Sequence, residues 1–189
     1  LWAEFQRITK VILWNQFYAV LGQYTPGLVA LYRQKAEFGQ HIHTERSMKY
    51  AVCNVNIKRT VALCALPVYL REEDPQFFKT WNVEESDEPG ISDTPAALFT
   101  AVTEDTADPV HFSPANISIV VEDDVVMRDI PNLDDAFALF GLIYTLHLDY
   151  PKKLFHTFTF IQKILLGLGD GKPLKPSLLS LKNDLLMKE

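Results

Sequence analysis

Cysteine is scarce in this chain: 189 residues hold two, Cys53 and Cys64. Two cysteines without C-x-x-C spacing make neither a disulfide scaffold nor a zinc or redox motif. Both are expected as small apolar residues in a reducing compartment. With 8 glycines and 11 prolines, collagen-like and low-complexity classes are excluded. Apolar runs are also short. The longest, Ala136 to Leu148, is about thirteen residues, well below the roughly 20 needed to span a bilayer. No signal-peptide pattern opens the chain.

Positive charge is missing from the middle. Between Lys79 and Arg128 there is no Lys or Arg, while that window holds eleven acids: Glu84, Glu85, Asp87, Glu88, Asp93, Glu104, Asp105, Asp108, Glu122, Asp123 and Asp124. The net charge of −6 therefore hides an acidic centre between mildly basic ends. Such a centre repels a phosphate backbone. Lys152, Lys153, Lys163, Lys172, Lys175 and Lys182 form the candidate electropositive region, but it lacks the arginines and interleaved aromatics of a nucleic-acid surface.

Signatures of chemistry are absent as well. His41 and His43 stand two apart and match no metal spacing. His147 lies in the most apolar segment, where a core histidine bonded to a carbonyl is the expectation. "GLGDGKP" fails as a phosphate loop because Leu166 occupies the first glycine position and Pro173 follows Lys172. It also follows a helix, whereas a phosphate loop follows a strand.

What is present builds a core. The hydrophobic content of 48% suffices for one globular domain over 1–189. The start at Leu1 suggests a fragment of a longer protein. Apolar spacing from Leu1 to Leu21 predicts a helix ended by Gly22. Thr25-Pro26 then reads as a cap and first-turn proline opening an antiparallel second helix to about Phe38. Thr44 or Ser47 is a candidate cap, and Thr60 to Leu66 a buried stretch, with Pro67 breaking or restarting the element. Asp74-Pro75 predicts a short helix carrying Phe77, Phe78 and Trp81. Residues 84–94, "EESDEPGISDT", read as a mobile acidic loop. "ALFTAVTE", "ISIVVE" and "VVMRDI" are strand-like, the last two joined as an antiparallel hairpin at Asp123-Asp124. Asn132 is read as the cap of a helix from Leu133 to Leu148. Further helices are expected from Lys152 to Leu166, ended by the glycines of "GLGDGKP", and from Ser177 to Met187.

Seven carboxylates punctuate residues 118–151: Glu122, Asp123, Asp124, Asp129, Asp134, Asp135 and Asp149. A magnesium site built on Glu122, Asp124 and Asp129 is the sharp alternative. Turn and helix-terminus chemistry accounts for each acid separately, so no catalytic, cofactor-binding or metal-ligating residue is assigned.

Three stretches taken together, "YTPGLVALYR", "RTVALCALPVYLREEDPQFFKT" and "DIPNLDDAFALFGLIYTLHLDYPKKLFHTFTFIQKILLGLG" followed by "LLSLKNDLL", resemble the C-terminal region of fish proteins similar to sterile alpha motif domain-containing protein 3. The resemblance is strongest from Asp129 to Leu186. It implies a C-terminal module of a longer intracellular protein and carries no catalytic motif. The expectation is an α+β fold, a mostly helical body with a small antiparallel sheet over about Ala97 to Ile130. The expected function is non-catalytic, an interaction or scaffold module that needs no cofactor and contacts another protein through the acidic loop or the C-terminal helices. The rival readings are a metal-dependent enzyme, degenerate and of mobile-element origin, and weak nucleic-acid binding through the C-terminal lysines.

Overall fold

The computed structural model describes residues 6, 7, 10, 12–37, 55–72, 77–82, 90–94, 96–102, 116–139, 152–169 and 171–187. The fold is α+β: helices together with a four-stranded sheet. The chain divides into two compact units, one made of Leu1–Glu72 and Phe155–Glu189, the other of Glu73–Leu154. The second is thus an insertion into the sequence of the first. Among the described residues no helix is long and apolar enough to cross a membrane.

The first unit is helical. Helix α1, Leu13–Glu37, runs unbroken for 25 residues with Pro26 inside it, where the sequence predicts two helices. Proline has no N–H for the carbonyl of Gly22 and crowds it. Burial overrides this local cost: Leu13, Phe17, Leu21, Tyr24, Leu28, Leu31 and Tyr32 form one buried stripe at steps of four and three, in phase on both sides of the proline. Thr25 is no cap; its hydroxyl donates back to the Leu21 carbonyl at 2.6 Å.

Helix α2, Val55–Cys64, and the short α3, Leu66–Tyr69, follow, and Pro67 sits in the first turn of α3 as the sequence suggests. Tyr32 ties α1 to α2 by donating to the Ala62 carbonyl at 2.9 Å. A second pass begins with α4, Phe155–Phe160, which widens into a π-helical turn at Ile161–Leu165. Gly167, at φ 68°, closes it in the left-handed region. The last helix, α5, Pro176–Leu186, buries Leu178, Leu181 and Leu185. A Cβ on Gly27 would stand 2.9 Å from Leu185 Cδ2, so the absent side chain lets α1 and α5 approach closely.

The second unit holds the sheet, in the order β1 (Phe78–Asn82), β2 (Ala96–Val102), β3 (Asn116–Val121), β4 (Asp124–Met127). It is mixed rather than wholly antiparallel, because β1 pairs β2 in parallel, with Thr80 opposite Thr100. The short helix expected around Phe77, Phe78 and Trp81 is therefore a strand. Phe, Thr and Trp favour a pleated surface, and the Thr80 and Thr100 hydroxyls bond across the pair at 2.7 Å. Both central strands are buried along nearly their whole length. One face gathers Ala97, Phe99 and Val120 with Trp81, Ile91 and Val125 around them.

The hairpin is present, but its turn is Glu122-Asp123, one residue earlier than expected, with both residues in the left-handed region at φ 51° and 64° and Val121 paired to Asp124. That is the geometry of a two-residue turn whose twist matches the strands. A register shift beside Ile119 and Val120 leaves Val126 as a bulged residue on the β4 edge, where bulges discourage further strand pairing. Asn132 caps a helix whose residues 133–139 are described. Its Oδ1 accepts the Asp135 N–H at 2.8 Å, the N-cap bond, while its side-chain amide donates to Asp135 Oδ2 at 2.9 Å. The expectations at Thr44, Ser47, Asp74-Pro75, residues 84–89 of the acidic loop and residues 140–148 of the apolar helix fall outside the described residues.

Candidate functional site

Each acid that the sequence singled out and the structure describes has a local setting. Asp123 Oδ1 accepts the Thr94 N–H at 2.6 Å, and Thr94 O accepts the Asp123 N–H at 3.2 Å, fixing the turn at residues 92–94 against the hairpin. Lys79 strengthens that corner by donating to Thr94 Oγ1 at 3.0 Å. Asp129, at φ 56°, exchanges two bonds with the Asn116 side chain. Asp135 is tied to the Asn132 side chain at the helix start. Asp134 is 2% exposed, and Glu122 and Asp124 are exposed at the hairpin end. Among the described residues no three of His, Cys, Asp and Glu come together in a metal-sized group. His41, His43, His147, Asp149 and Cys53 lie outside the described residues; Cys64 is a half-buried thiol outside any disulfide.

The C-terminal lysines have diverse settings. Lys163 donates to the Lys172 carbonyl at 3.0 Å, and Lys175 lies 4.5 Å above the Phe155 ring. Lys152 and Lys153 occupy a 3-10 turn, Lys152–Leu154, in the other unit.

Among the described residues the fold gathers a titratable cluster that no local sequence signal announces. Glu72, just after α3, directs its carboxylate at the start of α4. Oε1 accepts the His156 N–H at 2.7 Å and meets His156 Nδ1 at 2.5 Å; Oε2 accepts the Thr157 N–H at 2.7 Å and the Thr157 hydroxyl at 3.1 Å. Helix starts leave unpaired N–H groups, and a carboxylate there satisfies them with favourable charge. The pairing also orients the imidazole, as carboxylates do for catalytic histidines. Here, however, both oxygens are engaged in starting α4, 84 residues away in sequence.

A second grouping joins aromatic and cationic side chains. The Lys35 ammonium stands 3.5 Å over the Tyr69 ring and donates to the Tyr69 carbonyl at 3.1 Å, and Tyr32 packs 5.3 Å from Tyr69. Burial lowers the Lys35 pKa, with Arg71 adding to the effect. Burial likewise holds the Tyr32 phenol well above its ordinary value, with Tyr69 and Cys64 contributing.

A third place is concave. A groove of about 290 Å³ is lined by Thr25, Pro26, Val29, Ala30 and Arg33 of α1 and Lys58 of α2. Pro26 and Arg33 are exposed, Ala30 and Lys58 half-buried, and Val29 lies nearly buried in the floor. The Thr25 hydroxyl is already directed at Leu21. Sequence reasoning missed this groove because it read Pro26 as the start of a helix; on an unbroken α1 the proline, Val29, Ala30 and Arg33 share one side.

No family model, curated protein or solved structure matches this chain.

Proposed function

We propose that this chain is a non-catalytic interaction module, a C-terminal part of a larger intracellular protein, and that it recognises another protein through the groove on α1. The observation that carries the reading is the groove's make-up: the apolar Pro26, Val29 and Ala30 line it together with cationic side chains from two helices, Arg33 and Lys58. Concave apolar surface with a few polar groups at its edge is how rigid folds recognise ligands, and helices supply a rigid frame for it. The Glu72–His156 pair supports the same reading, since its carboxylate is a helix cap. We add α1 and α2 as a contact surface to the acidic loop and C-terminal helices that the sequence suggested.

The test is recovery of proteins from a cell extract by the immobilised chain, compared with the Ala30→Trp variant, which fills the groove. At least one protein should be recovered about tenfold less by the variant, a loss of about 1.4 kcal/mol in binding, while both chains melt alike. Equal recovery by the two sinks the proposal.

A further inference from the structure

We propose that His156 is a phosphorylation site, its Nε2 accepting a phosphoryl group from a donor of the acyl-phosphate or phosphoramidate class. The inference is independent of the groove on α1 and starts from the Glu72 carboxylate. Four groups meet its two oxygens: the backbone N–H groups of His156 and Thr157, the Thr157 hydroxyl and His156 Nδ1. An ionised carboxylate only accepts hydrogen bonds. Nδ1 therefore carries the imidazole proton, and the lone pair falls on Nε2. Glu72 Oε1 holds this one residue twice, through its backbone N–H at 2.7 Å and through its ring at 2.5 Å. The imidazole is thus fixed in orientation as well as in tautomer. Its second nitrogen is open: Nε2 has no hydrogen-bond partner among the described residues and is not a buried atom, and the side chain is 29% exposed.

An oriented imidazole with an accessible lone pair is a nucleophile. In the step, the Nε2 lone pair forms a bond to phosphorus while the bond from phosphorus to the leaving group breaks, and the leaving group departs with that electron pair. With phosphoramidate the leaving group is ammonia. The ring becomes a phosphoryl-imidazolium whose Nδ1 proton stays directed at Glu72, and the carboxylate offsets the new positive charge, as it does for histidines that gain charge during catalysis. No oxidant or reductant is consumed. Lys175 favours a phosphoryl group over an uncharged acyl group. Its ammonium lies 4.5 Å over the Phe155 ring, and that ring stands perpendicular to the imidazole with centroids 5.7 Å apart. A flexible lysine arm one ring away from the acceptor is placed to pair with the transferred phosphoryl oxygens. Glu72 closes Nδ1 to attack, so a single positional isomer forms.

The experiment is incubation of the whole chain with potassium phosphoramidate, followed by intact-mass and fragment mass spectrometry and by phosphorus NMR. One phosphoryl group is expected on His156, lost in acid and kept in alkali, as the Nε2 isomer. It should form about tenfold faster than on His41, His43, His111 or His147 of the same chain, and about tenfold faster than on His156 in urea, where orientation is lost. His156→Gln should remove the fast phase without changing the melting temperature, and Lys175→Ala should slow it a few-fold. Glu72→Gln, assayed below its melting transition, should slow it and yield both ring isomers, which a carboxylate serving only as a helix cap would not cause. No phosphoryl group on His156, equal rates in the folded and unfolded chain, or the Nδ1 isomer from the parent overturns the proposal. The Nε2 isomer alone, formed by Glu72→Gln at the parent's rate, overturns the role given to Glu72.

Discussion

Replacing Glu72 by alanine tests whether one carboxylate starts α4. The change removes the acceptor of two backbone N–H groups, one hydroxyl and one imidazole nitrogen. Losing a helix cap costs about 0.5–2 kcal/mol. Thr157 is fully buried, so its N–H and hydroxyl lose their partner away from water, at about 1–3 kcal/mol for each group left unmatched. The His156 side chain is 29% exposed, and water there recovers part of the loss, which puts the expected total near 3 kcal/mol. For a chain of this length each kcal/mol moves the melting temperature by about 2–4 °C, so calorimetry should show a fall of roughly 6–12 °C. Glu72→Gln is the sharper variant: it keeps the shape but turns an amide NH2 toward donors, and should fall nearly as far. If both variants melt within about 2 °C of the parent, less than 1 kcal/mol is at stake and the cap is not what starts the helix.

Two further outcomes follow from α1. Pro26→Ala restores an N–H for the Gly22 carbonyl and removes a steric conflict, against a small gain in unfolded-chain entropy, and should stabilise the chain by about 1–2 kcal/mol in urea titration; a loss of stability would mean that Pro26 begins a separate helix. Tyr32→Phe should cost about 1 kcal/mol near neutral pH through the lost bond to Ala62. Its pH profile is more telling. A phenol held above its ordinary 10.0 by burial contributes stability that is complete below pH 10 and lost as pH rises beyond it. The parent should therefore weaken above pH 10 more steeply than the variant, with Tyr69, also raised, leaving a residual slope and Lys35, lowered by burial, opposing it. Parallel urea midpoints from pH 8 to 11 would contradict the role given to Tyr32.

Local patterns carried much of the fold. Periodic apolar residues marked α5, alternation and β-branching marked β2 to β4, and Asn132 stood at its cap because capping depends on residues three apart. Reading failed where distant burial overruled a local signal. Pro26 is a helix breaker by its chemistry, yet Leu21 and Leu28 on either side share one core. The parallel β1 was hidden because strand pairing is a property of the partner, and the pattern at Asp74-Pro75 invited a helix. The groove was illegible because Lys58 reaches it from another element, and Glu72 because its donors lie in the second pass of the chain.

Glu72 and His156 also mark where the polypeptide leaves the helical unit and where it returns. The excursion from 73 to 154 is thereby buttoned at its base, with departure and arrival fixed to each other by one side chain. Evolution can lengthen, shorten or exchange what lies between without re-threading the helices, so long as an acid at the exit still faces the first turn of the return.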